Sequence, residues 1–287
     1  MMLFDSMTTV TIYTAFTVVF LLWYGTLSNP LRVGGAFLKE LITSRAYLLH
    51  FAALLMILFF NKVELMIEEN MTSYQANFTP FFQSIEGHFV GSLQQLFENS
   101  ILTTILAFIY VVVFQALLIV SIGIYTFEDK TKKMFYAVCY AIMINYIVAI
   151  PFYLFFPVLE VWHFDSSVKF LMLDVFPSFE TEYRALSGID NCFPSLHTSL
   201  SVTLAVLAVR SGNKRWGWFC SICAALVIFS IFYLGIHWLI DMLGGLLLGL
   251  FASTAGLRLS EKTVPWMRAR KQRLAAAKYS YVREDAK

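Results

Sequence analysis

Long uninterrupted apolar segments constrain the fold of this chain more than any other feature of its sequence. Hydrophobic residues make up 59% of its 287 residues and charged residues only 14%. A helix needs about 20 apolar residues to cross a bilayer, where unpaired backbone groups find no water. We therefore predict an all-α, polytopic transmembrane bundle of six or seven helices. The candidate segments are 7–28, 46–61, 101–125, 134–157, 194–210, 216–235 and 238–258.

Composition divides the chain into three parts. Residues 1–100 contain N-terminal membrane helices and a mixed, aromatic-rich segment at 62–100. We interpret that segment as interfacial helices lying on the membrane, the alternative being a loop packed on the helix ends. Residues 101–258 contain the remaining apolar segments and form the predicted core, and residues 259–287 form a basic tail.

Basic residues indicate which side of the membrane each connection faces. Lys and Arg accumulate in cytoplasmic loops. Here they lie in the connections between spans one and two, three and four, and five and six, and in the C-terminal tail, so we predict that all four segments are cytoplasmic. The basic residues of the three connections are Arg32, Lys39, Arg45, Lys130, Lys132, Lys133, Arg210, Lys214 and Arg215. Residues 62–100 and 158–193, and the break at 235–237, then face the non-cytoplasmic side.

Two polar strings interrupt the apolar pattern on that predicted outer face. Residues 191–197 read Asn-Cys-Phe-Pro-Ser-Leu-His, and residues 237–241 read His-Trp-Leu-Ile-Asp. Ionisable groups at a membrane boundary are functional candidates, because the bilayer does not solvate them. His197, His237 and Asp241 are therefore the candidate catalytic residues, although either histidine alone could be an interfacial hydrogen bonder.

The spacing within these strings suits chemistry at a phosphate. Pro194 and Ser195 predict a helix start, whose backbone N–H groups and serine hydroxyl can bind a phosphate oxygen. His237 and Asp241 are four residues apart, so on a helix the carboxylate can hold one ring nitrogen and leave the other as a nucleophile. His197 can serve as general acid and base. Zinc is the alternative occupant, but no fourth ligand accompanies these residues, so we expect neither metal nor cofactor.

Phe-Pro-Ser-Leu-His at 193–197 and His-Trp-Leu-Ile-Asp at 237–241 resemble the second and third signature motifs of the type-2 phosphatidic acid phosphatase superfamily. They are most similar to the inositol phosphorylceramide synthase-like branch, where leucine replaces the glycine of Pro-Ser-Gly-His. The resemblance implies that 101–258 is a catalytic core with a metal-independent phosphohistidine mechanism. It implies His237 as nucleophile, Asp241 as its partner and His197 as acid and base.

The chain departs from the superfamily in its first motif, Lys-x₆-Arg-Pro, which has no match. A stretch from Asn145 to Pro157 takes its place and resembles the synthase-like branch. A reacting phosphoryl group needs positive partners. Arg184 is favoured over Lys169 because guanidinium binds phosphate through two donors, although a lipid-headgroup anchor is equally compatible. The predicted substrate-binding residues are Ser195, Arg184, Asn191, Lys169 and Tyr153.

Two further patterns give local predictions. Gly245 and Gly249 lie one turn apart, which favours close helix packing over ligand binding. Of the four cysteines, only Cys192 lies outside the predicted spans, so we expect it to meet solvent.

We predict an integral membrane enzyme that transfers a phosphate or phospho-headgroup from a membrane lipid to an alcohol such as inositol. A lipid phosphate or polyprenyl-phosphate phosphatase, with water as acceptor, is the alternative. A non-catalytic lipid-binding protein or transporter is the alternative of another class, disfavoured because transporter charges usually lie near the bilayer midplane. The expected partners are a lipid arriving sideways from the outer leaflet, its chains remaining in the bilayer, and a polyol acceptor. Nothing indicates nucleic acid, and the sequence leaves the oligomeric state open.

Overall fold

The computed structural model describes residues 2–71, 77–184 and 187–284. These residues form twelve α-helices and no β-strand, which confirms the all-α prediction. The helices are α1 Met7–Thr26, α2 Pro30–Thr43, α3 Arg45–Met71, α4 Thr79–Glu86, α5 Phe89–Phe97, α6 Ser100–Phe108, α7 Phe114–Glu128, α8 Lys133–Phe155, α9 Val161–Phe164, α10 Leu196–Arg210, α11 Lys214–Tyr233 and α12 Leu239–Glu284. A π-helical turn, Ile109–Val113, joins α6 and α7 into one continuous helix.

Six helical segments are long and apolar enough to cross a membrane, so the chain is a multi-pass integral membrane protein. They are Met7–Thr26, Arg45–Ile67, Ser100–Glu128, Lys133–Phe155, Lys214–Tyr233 and Leu239–Pro265. The seventh predicted span, 194–210, corresponds to α10, which has only 15 residues. At 1.5 Å per residue it is about 22 Å long, shorter than the hydrocarbon core. Because α10 packs against α8, α11 and α12, its first residues start inside the bundle.

The N-terminal part differs from the prediction in two ways. The predicted span 46–61 is too short, since α3 continues to Met71 and carries the buried carboxyl group of Glu64 within it. A charged residue such as Glu64 ends an uninterrupted apolar run, so the sequence pattern placed the end of this helix too early. The segment 62–100 does contain the predicted helices, α4 and α5, but Phe82 and Gln94 are buried against the bundle. The segment therefore contains helices that pack on the bundle, and their position relative to the membrane stays a prediction.

Residues 158–184 and 187–193, which we call the cap, fold over the end of the bundle where α11 gives way to α12. The backbone N–H groups of Val161 and Trp162 donate to the carbonyls of Ile236 (3.1 Å) and Gly235 (2.9 Å). Gly235 has a φ of 82°. A Cβ there would lie 2.6 Å from the Lys169 carbonyl oxygen. The predicted break between the last two spans is thus a tight turn covered by the cap.

The basic connections gather at the opposite end of the bundle from the two histidines. The Asn213 side chain, between α10 and α11, donates to the Gly25 carbonyl at the end of α1 (2.8 Å). Lys133, at the start of α8, pairs with Glu261 of α12 (2.8 Å). Which end is cytoplasmic stays a prediction. Residues 285–287 and the predicted tail's side chains beyond Pro265 lie outside the described part.

Glycines allow α12 to approach its neighbours closely, which confirms the predicted packing role of Gly245 and Gly249. A Cβ on Gly245 or Gly249 would lie 2.5 Å from the carbonyl oxygen of Ser195 or Ser199 on the α10 side. A Cβ on Gly256 would lie 2.6 Å from the Ala137 carbonyl oxygen of α8. These contacts involve backbone atoms that cannot rotate away, so the glycines fix the distance between α12 and the core.

We expect Gly249→Leu to destabilise the protein, because its side chain would meet α10 backbone. Overpacking of this kind costs about 1–3 kcal/mol. Gly35→Leu is the matched control, since a Cβ on Gly35 meets no atom within 4 Å. Thermal unfolding in detergent, followed by tryptophan fluorescence, should show a clearly lower Tm for Gly249→Leu than for Gly35→Leu. Equal melting temperatures would contradict the packing argument.

Candidate active site

The second polar string is organised around the carboxylate of Asp241. This side chain is fully buried at the third position of α12. Its Oδ2 lies 3.3 Å from Nδ1 of His237 and accepts from the Trp238 N–H at 2.9 Å. The second contact caps the helix start in the manner of a capping box. We predicted His237 on the same helix face as Asp241, but α12 begins at Leu239, so the ring precedes the helix and is held across its N-terminus.

A second carboxylate, Glu86 of α4, also caps α12, and the sequence analysis missed it. Its oxygens accept from the N–H groups of Leu239 (2.6 Å) and Ile240 (2.7 Å). Burial raises the pKa of Glu86, against the opposing effect of those two donors. The contact links a helix outside the predicted core to the segment that carries His237. No local pattern marks Glu86, because its partners are more than 150 residues away in sequence.

The first polar string starts α10 as predicted. The Ser195 hydroxyl accepts from the Thr198 N–H (3.3 Å), and Ser195 is fully buried. Its hydroxyl therefore caps the helix and does not line the cavity described below. The first-turn N–H groups of α10, which have no acceptor within their own helix, include those of Leu196 and His197. The helix start predicted as an anion site thus lies beside His197.

The His197 ring is held between aromatic side chains of the α6–α7 helix. It stacks on Tyr110, with centroids 4.1 Å apart and planes at 18°, and its centroid is 4.7 Å from that of Phe114. Nδ1 of His197 lies 3.3 Å from the Tyr110 hydroxyl. Tyr110 belongs to the π-helical turn and Phe114 follows it directly. Such turns occur frequently at functional sites, but the sequence alone did not indicate this one.

The two histidines, from separate segments, face one cavity. Their ring centroids are 6.2 Å apart, and both rings line a space of about 250 Å³. The Ser195 N–H donates to the Asp241 carbonyl at 3.1 Å, which ties the start of α10 to α12. Each Nδ1 has a neighbour, Asp241 for His237 and Tyr110 for His197. The Nε2 atoms are therefore the ring nitrogens left for a substrate between them.

Two predicted substrate-binding residues also line this cavity. Tyr153 of α8 lines it and donates its hydroxyl to the Pro194 carbonyl at 2.9 Å. Asn191 lines it too, and its amide lies 3.4 Å from Oε1 of Glu64. Both side chains thus connect the first polar string to neighbouring helices. Their contact with substrate stays a prediction.

The two predicted cations lie away from the cavity lining. Lys169 pairs with Glu98 at 2.8 Å, and its side chain is 66% exposed. Arg184 donates to Glu160 (2.7 and 3.0 Å), to Glu180 (2.7 and 3.1 Å) and to the Gly188 carbonyl (2.7 Å). These contacts use all five guanidinium donors. Burial lowers the pKa of Arg184, but Glu180 and Glu160 more than offset it, so the pKa is raised and the group stays charged.

Glu160 is a second residue that the sequence analysis missed. It lines the cavity beside His237, while its carboxylate is held from behind by Arg184 and by the Trp162 indole N–H. Among the described residues that line the cavity, none is a lysine or arginine. Hydroxyl and amide groups replace them, as in Gln115, which donates to the Tyr183 hydroxyl (3.1 Å).

Cys192, His237 and Asp241 are the group of described residues that could hold a metal ion, with candidate ligand atoms within 4.8 Å of one another. This differs from the zinc set considered from the sequence, because Cys192 takes the place of His197. Cys192 is 2% exposed, so the prediction that it meets solvent is wrong. Burial raises the pKa of its thiol, and the Asp241 charge adds to that effect. The set offers three ligands, one fewer than a structural zinc site uses.

The site therefore combines an imidazole held by a carboxylate, a second imidazole and a helix N-terminus around one small cavity. This set can form and break a bond to phosphorus. One nitrogen attacks, the other imidazole moves a proton, and the first-turn N–H groups bind phosphoryl oxygens.

Comparisons with known proteins agree with this geometry. The chain is 42% identical over 62 residues to the putative undecaprenyl-diphosphatase YbjG of Escherichia coli, covering 21% of this chain and 31% of that protein. It is 25% identical over 175 residues to the undecaprenyl-diphosphatase BcrC of Bacillus subtilis, covering 59% of this chain and 81% of that protein. The chain thus spans about a third of the first relative and four fifths of the second. No solved structure matches the chain.

A family model described as the PAP2 superfamily matches residues 83–255. The match includes both polar strings and all helices from α5 to α11. It covers more than half of the chain. The family resemblance expected from the sequence is thereby confirmed, whereas its assignment to the inositol phosphorylceramide synthase-like branch is not. The chain belongs to the PAP2 superfamily.

Proposed function

We propose that this protein is a membrane phosphatase that hydrolyses the terminal phosphate of a lipid phosphate or diphosphate, with a polyprenyl diphosphate as the first candidate substrate. The observation that carries the proposal is the convergence of His197 and His237, 6.2 Å apart, on one cavity with Asp241 behind His237. The undecaprenyl-diphosphatase relatives support this substrate class.

In the first step, Nε2 of His237 attacks phosphorus, and the P–N bond forms as the bond to the leaving oxygen breaks. Asp241 holds the Nδ1 proton and stabilises the imidazolium that results. His197 gives a proton to the leaving oxygen. In the second step, His197 takes a proton from water, the water oxygen attacks phosphorus, and the P–N bond breaks to release phosphate. Asp241 remains a carboxylate throughout.

Charge on the phosphoryl oxygens needs partners that the cavity supplies without lysine or arginine. The first turn of α10 lines the cavity through Leu196 and His197, so its N–H groups and the positive end of its dipole are the proposed partners. In the proposed first step, His197 would add a positive charge only while it holds the proton that it gives to the leaving oxygen. Tyrosine hydroxyls supply further donors, for example Tyr183, whose oxygen already accepts from Gln115. Preorganised donors of this kind stabilise developing charge in a site that excludes water.

Hydrolysis is better supported than the phosphotransfer predicted from the sequence. Both relatives are named as diphosphatases, and nothing in the comparisons supports inositol as acceptor. The two reactions share the first step and differ only in the acceptor that meets the phosphohistidine. We therefore assign water to that role. A transporter function is disfavoured because the ionisable groups of the cavity gather at one end of the bundle.

We expect His237→Ala to abolish turnover of undecaprenyl diphosphate, because the nucleophile is lost. His197→Ala should lower kcat by roughly 10²–10⁴-fold, the usual contribution of a general acid and base. His163→Ala is the matched control, since this exposed cap histidine does not line the cavity. Release of phosphate from detergent-solubilised protein measures all three. Near-normal turnover by either active-site variant would refute its assigned role.

The acceptor can be identified by supplying inositol together with the lipid substrate. We expect release of free phosphate at an unchanged rate and no inositol-containing product by mass spectrometry. Activity should survive a chelator and be inhibited by vanadate, because the imidazole and not a metal ion activates the phosphorus. A phosphorylated product that forms only with inositol would show that the reaction is transfer and not hydrolysis. Loss of activity on chelation would show that the enzyme needs a metal ion.

Arg184 is expected to act through Glu160 and not on the phosphate. Arg184→Gln leaves the buried Glu160 carboxylate without its partner, which should lower the free energy of unfolding by about 3–5 kcal/mol. Adding Glu160→Gln removes this charge and should restore most of the Tm, with KM returning towards the wild-type value. Thermal unfolding and steady-state kinetics on both variants measure these effects. A double variant that is stable but keeps a raised KM would support the direct phosphate contact predicted from the sequence.

A further inference from the structure

A second, apolar cavity lies directly beneath the active-site cavity. It has a volume of about 510 Å³ and is enclosed by α1, α2, α3, α7 and α8. Gln115, Leu118 and Tyr146 line both cavities, so the two spaces meet at these three residues. Below them the lining is hydrocarbon, for example Val33 and Leu54. The two cavities are therefore direct neighbours, the first with polar groups around the histidines and the second almost entirely apolar.

Together, the two cavities extend along the helices across much of the bundle. On α3 the active-site cavity is lined by Asn61 and Leu65, and the apolar cavity by residues from Leu58 back to Phe51. At 1.5 Å per residue, Phe51 and Leu65 are about 21 Å apart along the helix axis. The far end is formed by α2, through Val33, Gly34 and Phe37. An extended hydrocarbon chain of several isoprene units fits this shape better than a compact ligand.

The apolar cavity is also open to the surrounding bilayer on one side. Three of its lining residues are about half exposed: Leu55 (51%), Leu58 (40%) and Ile119 (52%). A chain can therefore slide in from the membrane without passing through water. Water would not fill such a space favourably, since its lining offers almost no polar partners.

We infer that this apolar cavity, which we call the chain chamber, receives the hydrocarbon chain of the lipid whose phosphate reacts between His197 and His237. The inference rests on the proposed function and adds the part of the protein that recognises the chain. It replaces the sequence-based expectation that the chains remain in the bilayer. Gln115 and Tyr146 mark the junction at which the phosphate-bearing head of the substrate gives way to its apolar chain.

About half of the chamber lining lies outside the family domain. Helices α1, α2 and α3 supply one side of it, and all three precede residue 83, where the family match begins. The chain selectivity of this protein should therefore depend on its N-terminal helices, whereas the chemistry depends on the matched core.

Gly34→Phe tests the chamber, because this glycine lines its far end and a Cβ there meets no atom within 4 Å. The new ring can enter the cavity without a clash. We expect kcat/KM for undecaprenyl diphosphate to fall roughly tenfold or more, a usual effect of steric mismatch in an apolar pocket. The value for geranyl diphosphate, whose chain is too short to reach α2, should change little.

Gly35→Phe is the matched control. This neighbouring residue is exposed, lies on the same helix, has open space at its Cβ and does not line the chamber. It should leave both substrates unaffected. If Gly34→Phe leaves the ratio of the two kcat/KM values at its wild-type level, the chamber does not hold the chain. Failure of wild-type protein to hydrolyse either substrate would instead refute the proposed function.

A second measurement locates the chain without relying on turnover. A polyprenyl phosphate with a diazirine at the end of its chain is bound to His237→Ala protein, irradiated, and the labelled peptides are identified by mass spectrometry. We expect labels on α2 and on α3 near Phe51 and Leu54. Labels confined to lipid-facing residues such as Phe60 and Leu247, which are exposed and do not line the chamber, would overturn the inference.

Discussion

The contact between the start of α10 and the start of α12 is the constraint on which the site depends. The Ser195 N–H donates to the Asp241 carbonyl, while Gly245 lets the Ser195 carbonyl approach α12 closely. The same Asp241 holds His237 through its side chain. Asp241 therefore contributes both to the register of the two helices and to the orientation of the His237 ring. A larger residue at position 245 would separate the histidines, and a residue without a side-chain acceptor at 241 would release the ring. Packing and chemistry are coupled at this point because the same few atoms serve both.

The cap neutralises a carboxylate that would otherwise repel the phosphate of the proposed substrate. Glu160 lines the cavity, but Arg184 neutralises it from behind with two hydrogen bonds. Aromatic rings of Phe170 and Phe179 flank the guanidinium at 5.5 and 5.2 Å, which excludes water and strengthens the pair. The charge needed near the phosphate then comes from a helix terminus and an imidazole. Under the proposed function, this arrangement would let the site work without the Lys and Arg of the first motif, which has no match in this chain.

The sequence predicted those features that depend on a local pattern of residues. It did not predict features that depend on contacts between residues far apart in the chain. Apolar length and the break at Gly235 located most spans, and the spacing of the polar strings identified the two histidines and Asp241. The end of α3 was missed because Glu64 is buried beside Asn191, a contact that no local window contains. Glu86, Tyr110 and Glu160 were missed for the same reason. Arg184 was chosen as a free cation although Glu180 lies only four residues away, and its pairing with Glu160 is visible only once the cap is folded.

Through the proposed chain chamber, the N-terminal helices would contribute binding energy for the lipid chain. Binding energy from a part of the substrate that does not react can be used to position the part that does. A lipid chain supplies such energy only if it leaves one apolar environment for another that fits it better, because bilayer and cavity are equally dry. Shape complementarity, and not the hydrophobic effect, must then carry the selectivity. Packing against rigid helix faces such as Val33 and Leu54 provides it. In the proposed binding mode, the junction at Gln115 and Tyr146 would set how far the phosphate can travel toward His237, so the fit of the chain would control the geometry of the reaction.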